Sequence, residues 1–596
     1  MLETLSAARP RILLTPDRIT ELRRLTAVDA RARRMLDDVL GRADELVELA
    51  VPAAIPPGAG GLDTAGRYID IAYTCGLAWR LTGKDAYVDA VRRHIVAVCR
   101  APMGPRGDCL GISEFIFGIA AAYDWCFDAF TPDEREAVRG RLIETLRWGV
   151  VCHDEGDWWT DTWINQNHEA NGGLVTAALA IADTDADLAM EVLPRALHAM
   201  HHGFGWWEPD GAWPEGAGYW ARTTIYSVLA LAAMRTALGT DFELGAMRGF
   251  ANTPLFMIAA IAPNDLMACY ADCTERRTRM HLPILQWMAT RCGRPEYAAY
   301  ELARVATGKA TALNLIWYDP ATAIGAPDLP LDLRFRGLVD FVSLRGGWHD
   351  RDAIHVWTKG GVNGLNHGHL DLGGFEFDAL GERWARDLGV DDYALPGYFD
   401  AVPGGRRWSI FRMGSLSHNV PQLDGGNQNQ AAAARITLFV PDHDSPRAVV
   451  EYSEAYQPAA ELARRGYMLV HRRALLVQDD FLLSRACRFT WSMTTDAVVE
   501  SHGATAVLTL NGKRMHAAIL SPAGARFTIA SAHRDPPERA NAGVSQLQVH
   551  VEAAPGPLRV AVLLSPEWSD AGPVPAPDLV PLGRWLGTAL AAPRLP

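Results

Sequence analysis

Several features that would assign this 596-residue chain to a class are missing from it. Basic charge is short: 57 Lys and Arg stand against 70 Asp and Glu, a net charge of -13. That excludes a nucleic-acid binder held by a general basic surface, and an anionic ligand would need a local positive pocket. Cysteine is sparse. The nine cysteines are odd in number, contain no CxxC pair, and only Cys487 lies beyond residue 300. A disulfide scaffold is therefore not expected. No stretch approaches the roughly 18 uninterrupted apolar residues that a membrane span needs. The opening MLETLSAARPRILL has no basic start followed by an apolar run, so no export signal is visible. The expectation is a cytoplasmic protein or an exported one trimmed of its leader. No repeat of fixed period marks a regular solenoid.

What is present is a globular composition, 49% hydrophobic and 21% charged. A chain of this length can bury large cores, in about two to four domains. Residues 10 to about 320 read as successive helices. In IDIAYTCGLAWRLTGKDAYVDAVRRHIVAVC, Ile71, Cys75, Ala78 and Leu81 recur at helical spacing. Gly83 sits where a C-terminal cap belongs, and a second helix starts near Asp85. In FTPDEREAVRGRLIETL, Thr131 is the N-cap, Pro132 the first helical residue and Glu134 the closing member of a capping box. Helical pairs with short polar turns, continued for three hundred residues, predict an (α/α) toroid, an incomplete barrel of helical hairpins.

Near residue 319 the texture changes. DPATAIGAPDLPLDLRF reads as a linker. Beyond it, FVSLRGGW, AIHVWTKGG, GGFEFDALG, RAVVEYSEAY, GYMLVHRRALLVQDDFLL, RFTWSMTTD, ATAVLTLNG and LRVAVLLSP alternate as strands do. The expected architecture is multidomain α + β: a helical domain over 1–325, then a C-terminal antiparallel β-sandwich over 326–596.

Two places carry candidate chemistry. The first is WWTDTWINQNHEANGG with GFGWWEPDGAWPEGAGYWARTTIY about fifty residues later. His168 is flanked by Gln166, Asn167, Glu169 and Asn171, amides suited to binding a sugar or carboxylate. Trp158, Trp159, Trp163, Trp206, Trp207, Trp213 and Trp220 crowd the same segments. Core packing explains some of them, but a groove lined this way would also stack sugar rings. The second place is NGLNHGHLDLGGFEFDALGERWARDLG with SLSHNVPQLDGG. His367 and His369 would face one way on an extended segment, Asp387 follows the turn at Gly381, and His418 opens another strand. Spacing this loose leaves a polar loop as the default and a first shell for zinc or a similar ion as the alternative.

Taken in order, these segments together with RPRILLTPDRITELR and HRRALLVQDDFLL resemble the heparinase II/III-like polysaccharide lyases over most of the chain. The resemblance implies a toroid followed by an antiparallel sheet domain, with the active site in the cleft between them. It implies β-elimination at a uronic acid, giving unsaturated uronate products. Asn167 and His168 match the pair that neutralises the substrate carboxylate, Tyr219 the general acid and in some members also the base, and His367 the sheet-domain histidine at the cleft. Gln166, Asn171, Trp213, Glu215 and Arg222 are the candidate substrate-binding residues. His369, Asp387 and His418 match the ligands of a mainly structural divalent ion, zinc first, with manganese or calcium as alternatives. The expected partner is an acidic polysaccharide or oligosaccharide, not nucleic acid or a membrane; a homodimer is compatible with the sequence.

Several alginate-cleaving members use a second tyrosine upstream of the last metal histidine. GGRRWSIFRMG offers none, although Tyr393 and Tyr398 lie nearby. The resemblance therefore favours glycosaminoglycans such as heparan sulfate, chondroitin or hyaluronan over alginate. Rival readings are a glycoside hydrolase using Glu215 with Asp210 or Glu169, and a sugar-binding protein without turnover. The base is shared between His168, His367 and Tyr219. Everything depends on Asn167 and His168 reaching a substrate carboxylate.

Overall fold

The computed structural model describes residues 1–52, 59–275, 282–325, 329–570, 572 and 574–586. The chain forms two compact units. The first comprises Met1–Trp207, Ala221–Pro254 and Arg279–Pro327; the second comprises Glu208–Trp220, Leu255–Thr278 and Asp328–Pro596.

The first unit is built of helical hairpins, the expected (α/α) toroid. Its local signals act as the sequence indicates. The hydroxyl of Thr131 accepts from the Glu134 amide while the Glu134 carboxylate accepts from the Thr131 amide, closing the capping box of helix Pro132–Glu155. Gly83 ends the helix Gly76–Thr82 in the left-handed conformation, at φ 74°, and the next helix is Asp85–Arg100. The helix Asn165–Ile181 is buried without interruption from Asn167 onward. Its glycines explain how neighbours come so close: a Cβ on Gly172 would stand 3.2 Å from the Tyr226 carbonyl oxygen. Polar residues at its start therefore need partners inside the protein.

The second unit is antiparallel throughout, in three sheets of five, nine and four strands. Each alternating segment named above becomes a strand, among them Phe341–Arg345, His355–Lys359, Phe375–Ala379 and Cys487–Thr495. One hydrophobic core joins all three sheets, with Val356 and Phe377 from the first, Val477 and Leu564 from the second, and Trp491 and Val549 from the third. The hairpin from Phe375–Ala379 to Glu382–Ala385 turns at Leu380 and Gly381, both with positive φ, as a tight two-residue hairpin requires.

Two segments expected to stay with the helices pack with the sheets instead. In Leu255–Thr278, Asn264 Nδ2 donates to Asp378 (2.9 Å), and the Cys269 amide donates to Glu376 (2.9 Å). In Glu208–Trp220, Arg336 grips Asp210 through Nε and Nη2, and Tyr270 Oη donates to the Trp213 carbonyl (2.6 Å). Hydrogen bonds made far along the chain outweigh sequence neighbourhood here. Of the expected linker, 326–328 lies outside the described residues.

Candidate active site

Tyr219 stands in the first turn of helix Ala217–Leu238 and is partly exposed. Its ring stacks on His367, with centroids 4.2 Å apart and planes at 21°. Its hydroxyl lies 2.6 Å from that of Tyr393, which is 40% exposed. Burial pushes both phenols well above their ordinary range, and their mutual contact and the Asp272 carboxylate act on Tyr219 in the same direction. Both therefore stay protonated at neutral pH, as donors.

His367 is not on an extended segment. It occupies a turn with φ 59°, where a non-glycine side chain is uncommon. The turn is held by Asp272. That carboxylate accepts from His367 Nδ1 (2.8 Å), His369 Nε2 (3.0 Å), Tyr398 Oη (2.6 Å) and Arg407 Nη2 (2.9 Å). The Asp272 amide in turn donates to the His367 carbonyl (3.1 Å). Burial alone would raise the Asp272 pKa, but the two imidazoles and Arg407 outweigh it and hold the carboxyl well below the usual carboxylate range. Asn366, exposed beside His367, donates to the fully buried Glu215 (2.6 Å).

The three candidate metal ligands come together. His369, Asp387 and His418 are buried, and each offers one ligand atom within 4.8 Å of the others. They arrive on turns beside the sheet: Asp387 lies two residues past the strand Glu382–Ala385, and His418 precedes the strand Gln422–Leu423. His369 Nδ1 and His418 Nε2 are buried nitrogens without a hydrogen-bond partner. Two imidazoles and a carboxylate are a donor set that zinc accepts, and the orphaned nitrogens fit an ion.

Asn167 and His168 depart from expectation. Both side chains are fully buried. Asn167 Nδ2 donates to the carbonyls of Thr162 and Ala199, and its Oδ1 accepts from Asn171 Nδ2 (3.1 Å). His168 Nδ1 meets Ser227 Oγ (3.0 Å), and its ring packs on Phe204 and edge-on to Trp207. Burial drives its pKa down to about 3, so it is neutral. Neither side chain is open to a substrate carboxylate in this structure, which overturns the expectation that the chemistry depends on these two. Amides in the first turns of a buried helix complete the packing first.

The other expected substrate contacts divide in the same way. Gln166 is partly exposed, whereas Asn171 is buried and engaged by His153 Nε2 (2.9 Å). Arg222 holds Glu169 through Nε (2.9 Å) and Nη2 (2.7 Å), and also reaches Glu114 (2.8 Å). Burial with two carboxylates on one guanidinium pushes Glu169 up to about 8. Of the seven clustered tryptophans only Trp158 and Trp163 are exposed; Trp213 and Trp220 are core. Trp163 stacks on Trp206 at 5.4 Å. Asp272, Tyr393, Tyr398 and Arg407 carried no motif that singled them out as partners. Asp272 joins Tyr398 and Arg407 across more than a hundred residues, whereas Tyr398 meets Tyr393 and Arg407 locally.

Residues 341–559 match the family model described as Heparinase II/III-like, C-terminal. Over that span the sheet region is similar to the heparinase II/III-like C-terminal domain. That region contains His367, all three candidate metal ligands, Tyr393, Tyr398 and Arg407 within its matched span. Over 95% of the chain the fold is similar to that of heparinase III, at TM-score 0.63 and 14% identity, covering 93% of that chain. It is also similar to a heparan sulfate lyase from Pedobacter heparinus, at TM-score 0.58 and 14% identity, with 95% of this chain and 93% of that chain covered. Among curated proteins none matches the sequence.

Proposed function

We propose that this chain is a polysaccharide lyase that cleaves uronic-acid-containing polysaccharides or oligosaccharides by β-elimination, with glycosaminoglycans such as heparan sulfate, chondroitin or hyaluronan as substrates. The observation that carries the reading is Tyr219, stacked on His367 with its hydroxyl against that of Tyr393. The similar folds named heparinase III and heparan sulfate lyase support the same reading.

In the reaction a base removes the C5 proton, the electron pair forms the C4–C5 double bond, and O4 leaves with a proton from an acid. Tyr219, kept protonated, supplies the O4 proton; His367, whose Nδ1 is held by Asp272, receives the C5 proton at Nε2. Such groups contribute roughly 10²- to 10⁴-fold each. Developing charge at the uronate carboxylate needs fixed donors. With Asn167 and His168 closed off, the exposed Asn366 amide beside His367 supplies one through the N–H that Glu215 does not take. His369, Asp387 and His418 would hold a divalent ion, zinc first, which when bound ties their turns together.

The two-phenol arrangement favours a second substrate reading, alginate or oligoalginate, because Tyr393 provides the second tyrosine that GGRRWSIFRMG lacks. The hydrolase reading loses ground: Asp210 is gripped by Arg336, Glu169 by Arg222, and Glu215 is fully buried. The test is incubation with heparan sulfate, chondroitin, hyaluronan and alginate while following ultraviolet absorbance of unsaturated uronate. A rise identifies a lyase and its polymer. New reducing ends without absorbance would establish hydrolysis, and neither signal with any polymer would remove the reading.

A further inference from the structure

Asp272 comes from the segment Leu255–Thr278, far in sequence from the histidines it meets. Its two oxygens are used unequally. Oδ2 faces His367 Nδ1, while Oδ1 takes His369 Nε2, Tyr398 Oη and Arg407 Nη2 together. A carboxylate only accepts, so the nitrogen facing it on each ring must carry the hydrogen. In neutral rings this leaves His367 bare at Nε2, which stands 4.0 Å from Glu215 Oε1 and so beyond hydrogen-bond reach of that carboxylate, and His369 bare at Nδ1. His369 Nδ1 is indeed a buried atom without a partner, beside the other two candidate ligands.

We infer that Asp272 is a positioning residue that imposes opposite tautomers on two histidines two residues apart, presenting His367 Nε2 to substrate and His369 Nδ1 to the ion. A histidine's second nitrogen is commonly fixed in this way by a carboxylate, and the choice of tautomer decides what the first nitrogen can do. Here one carboxylate does it for both the proton-transfer group and a metal ligand. The metal turn and the reacting turn are therefore set by the same side chain. The consequence for turnover rests on the lyase reading, whereas the tautomers themselves do not.

Asp272→Asn separates these roles. Three donors converge on Oδ1, so the amide oxygen takes that position and the amide nitrogen faces His367 Nδ1. His367 is then forced into the Nε2–H tautomer, while His369 keeps its own. Ring ¹⁵N signals of labelled protein, assigned by single-histidine substitutions, should show Nδ1–H on His367 and Nε2–H on His369 in the wild type. In Asp272→Asn only His367 should switch. Bound metal should be retained, kcat should fall by about 10²- to 10⁴-fold, and KM should change less than about threefold. Wild-type His367 protonated at Nε2 would overturn the inference even if the variant does not fold; so would an Asp272→Asn enzyme with wild-type kcat. Correct tautomers in a protein that yields no unsaturated product from any uronate polymer would leave Asp272 in its role and remove the lyase reading instead.

Discussion

The hydroxyl of Tyr219 lies 2.6 Å from the hydroxyl of Tyr393, and the two belong to segments 174 residues apart. Both phenols are held above their ordinary pKa, so one donates to the other and the pair offers a proton outward. Tyr219→Phe should therefore lose about 10²- to 10⁴-fold in kcat with the fold intact, and Tyr393→Phe should lose less. Steady-state rates with circular dichroism check this; wild-type turnover in Tyr219→Phe removes tyrosine from the mechanism.

His369, Asp387 and His418 should act as one unit. Replacing either histidine with Ala is expected to lower the bound divalent ion and the melting temperature together, because an ion held there would close a buried polar cluster. Elemental analysis beside thermal melts reads both. No metal in the purified wild-type protein would defeat the assignment.

His168 makes a prediction about pH. Its ordinary pKa of 6.5 drops to about 3 in the folded protein through burial. Between those values the unfolded chain binds a proton that the folded chain refuses. Stability is therefore complete above about pH 6.5 and declines as pH falls toward 3. His355, lowered to about 4 by burial, acts in the same direction. Urea midpoints across this range should decline more shallowly in His168→Gln than in the wild type; equal slopes would show that His168 is not buried neutral.

Arg465 and Asp479 form a fully buried bidentate pair, both contacts at 2.8 Å, and Arg465 also donates to the carbonyls of Gly373 and Asn419. Asn419 follows His418 directly, and Gly373 lies in the turn just past His369. Asp479→Ala should cost about 3–5 kcal/mol, since it strands a buried guanidinium. Chemical unfolding measures the loss. A change under about 1 kcal/mol would mean that the pair is dispensable.

Helix caps, strand alternation and the change of texture near residue 319 were legible along the chain, because each depends on residues a few positions apart. Thr131 with Glu134 and the Leu380–Gly381 hairpin are of this kind. The gathering of His369, Asp387 and His418 was visible as chemistry, although turns and not strands deliver them. Asn167 and His168 read well as a binding pair, yet nothing local announces that Ser227, Ala199 and Phe204 close over them. Asp272 was silent, being one aspartate in YADCTE.

Spacing and composition, then, were enough for the order of helices and strands and for the kinds of side chain available to chemistry, since propensity and periodicity act over one or two turns. Which of those side chains meet, which are sealed away, and which carboxylate faces two histidines came from packing between segments tens of residues or more apart. Burial and hydrogen-bond geometry belong to the folded whole, and a linear pattern does not contain them.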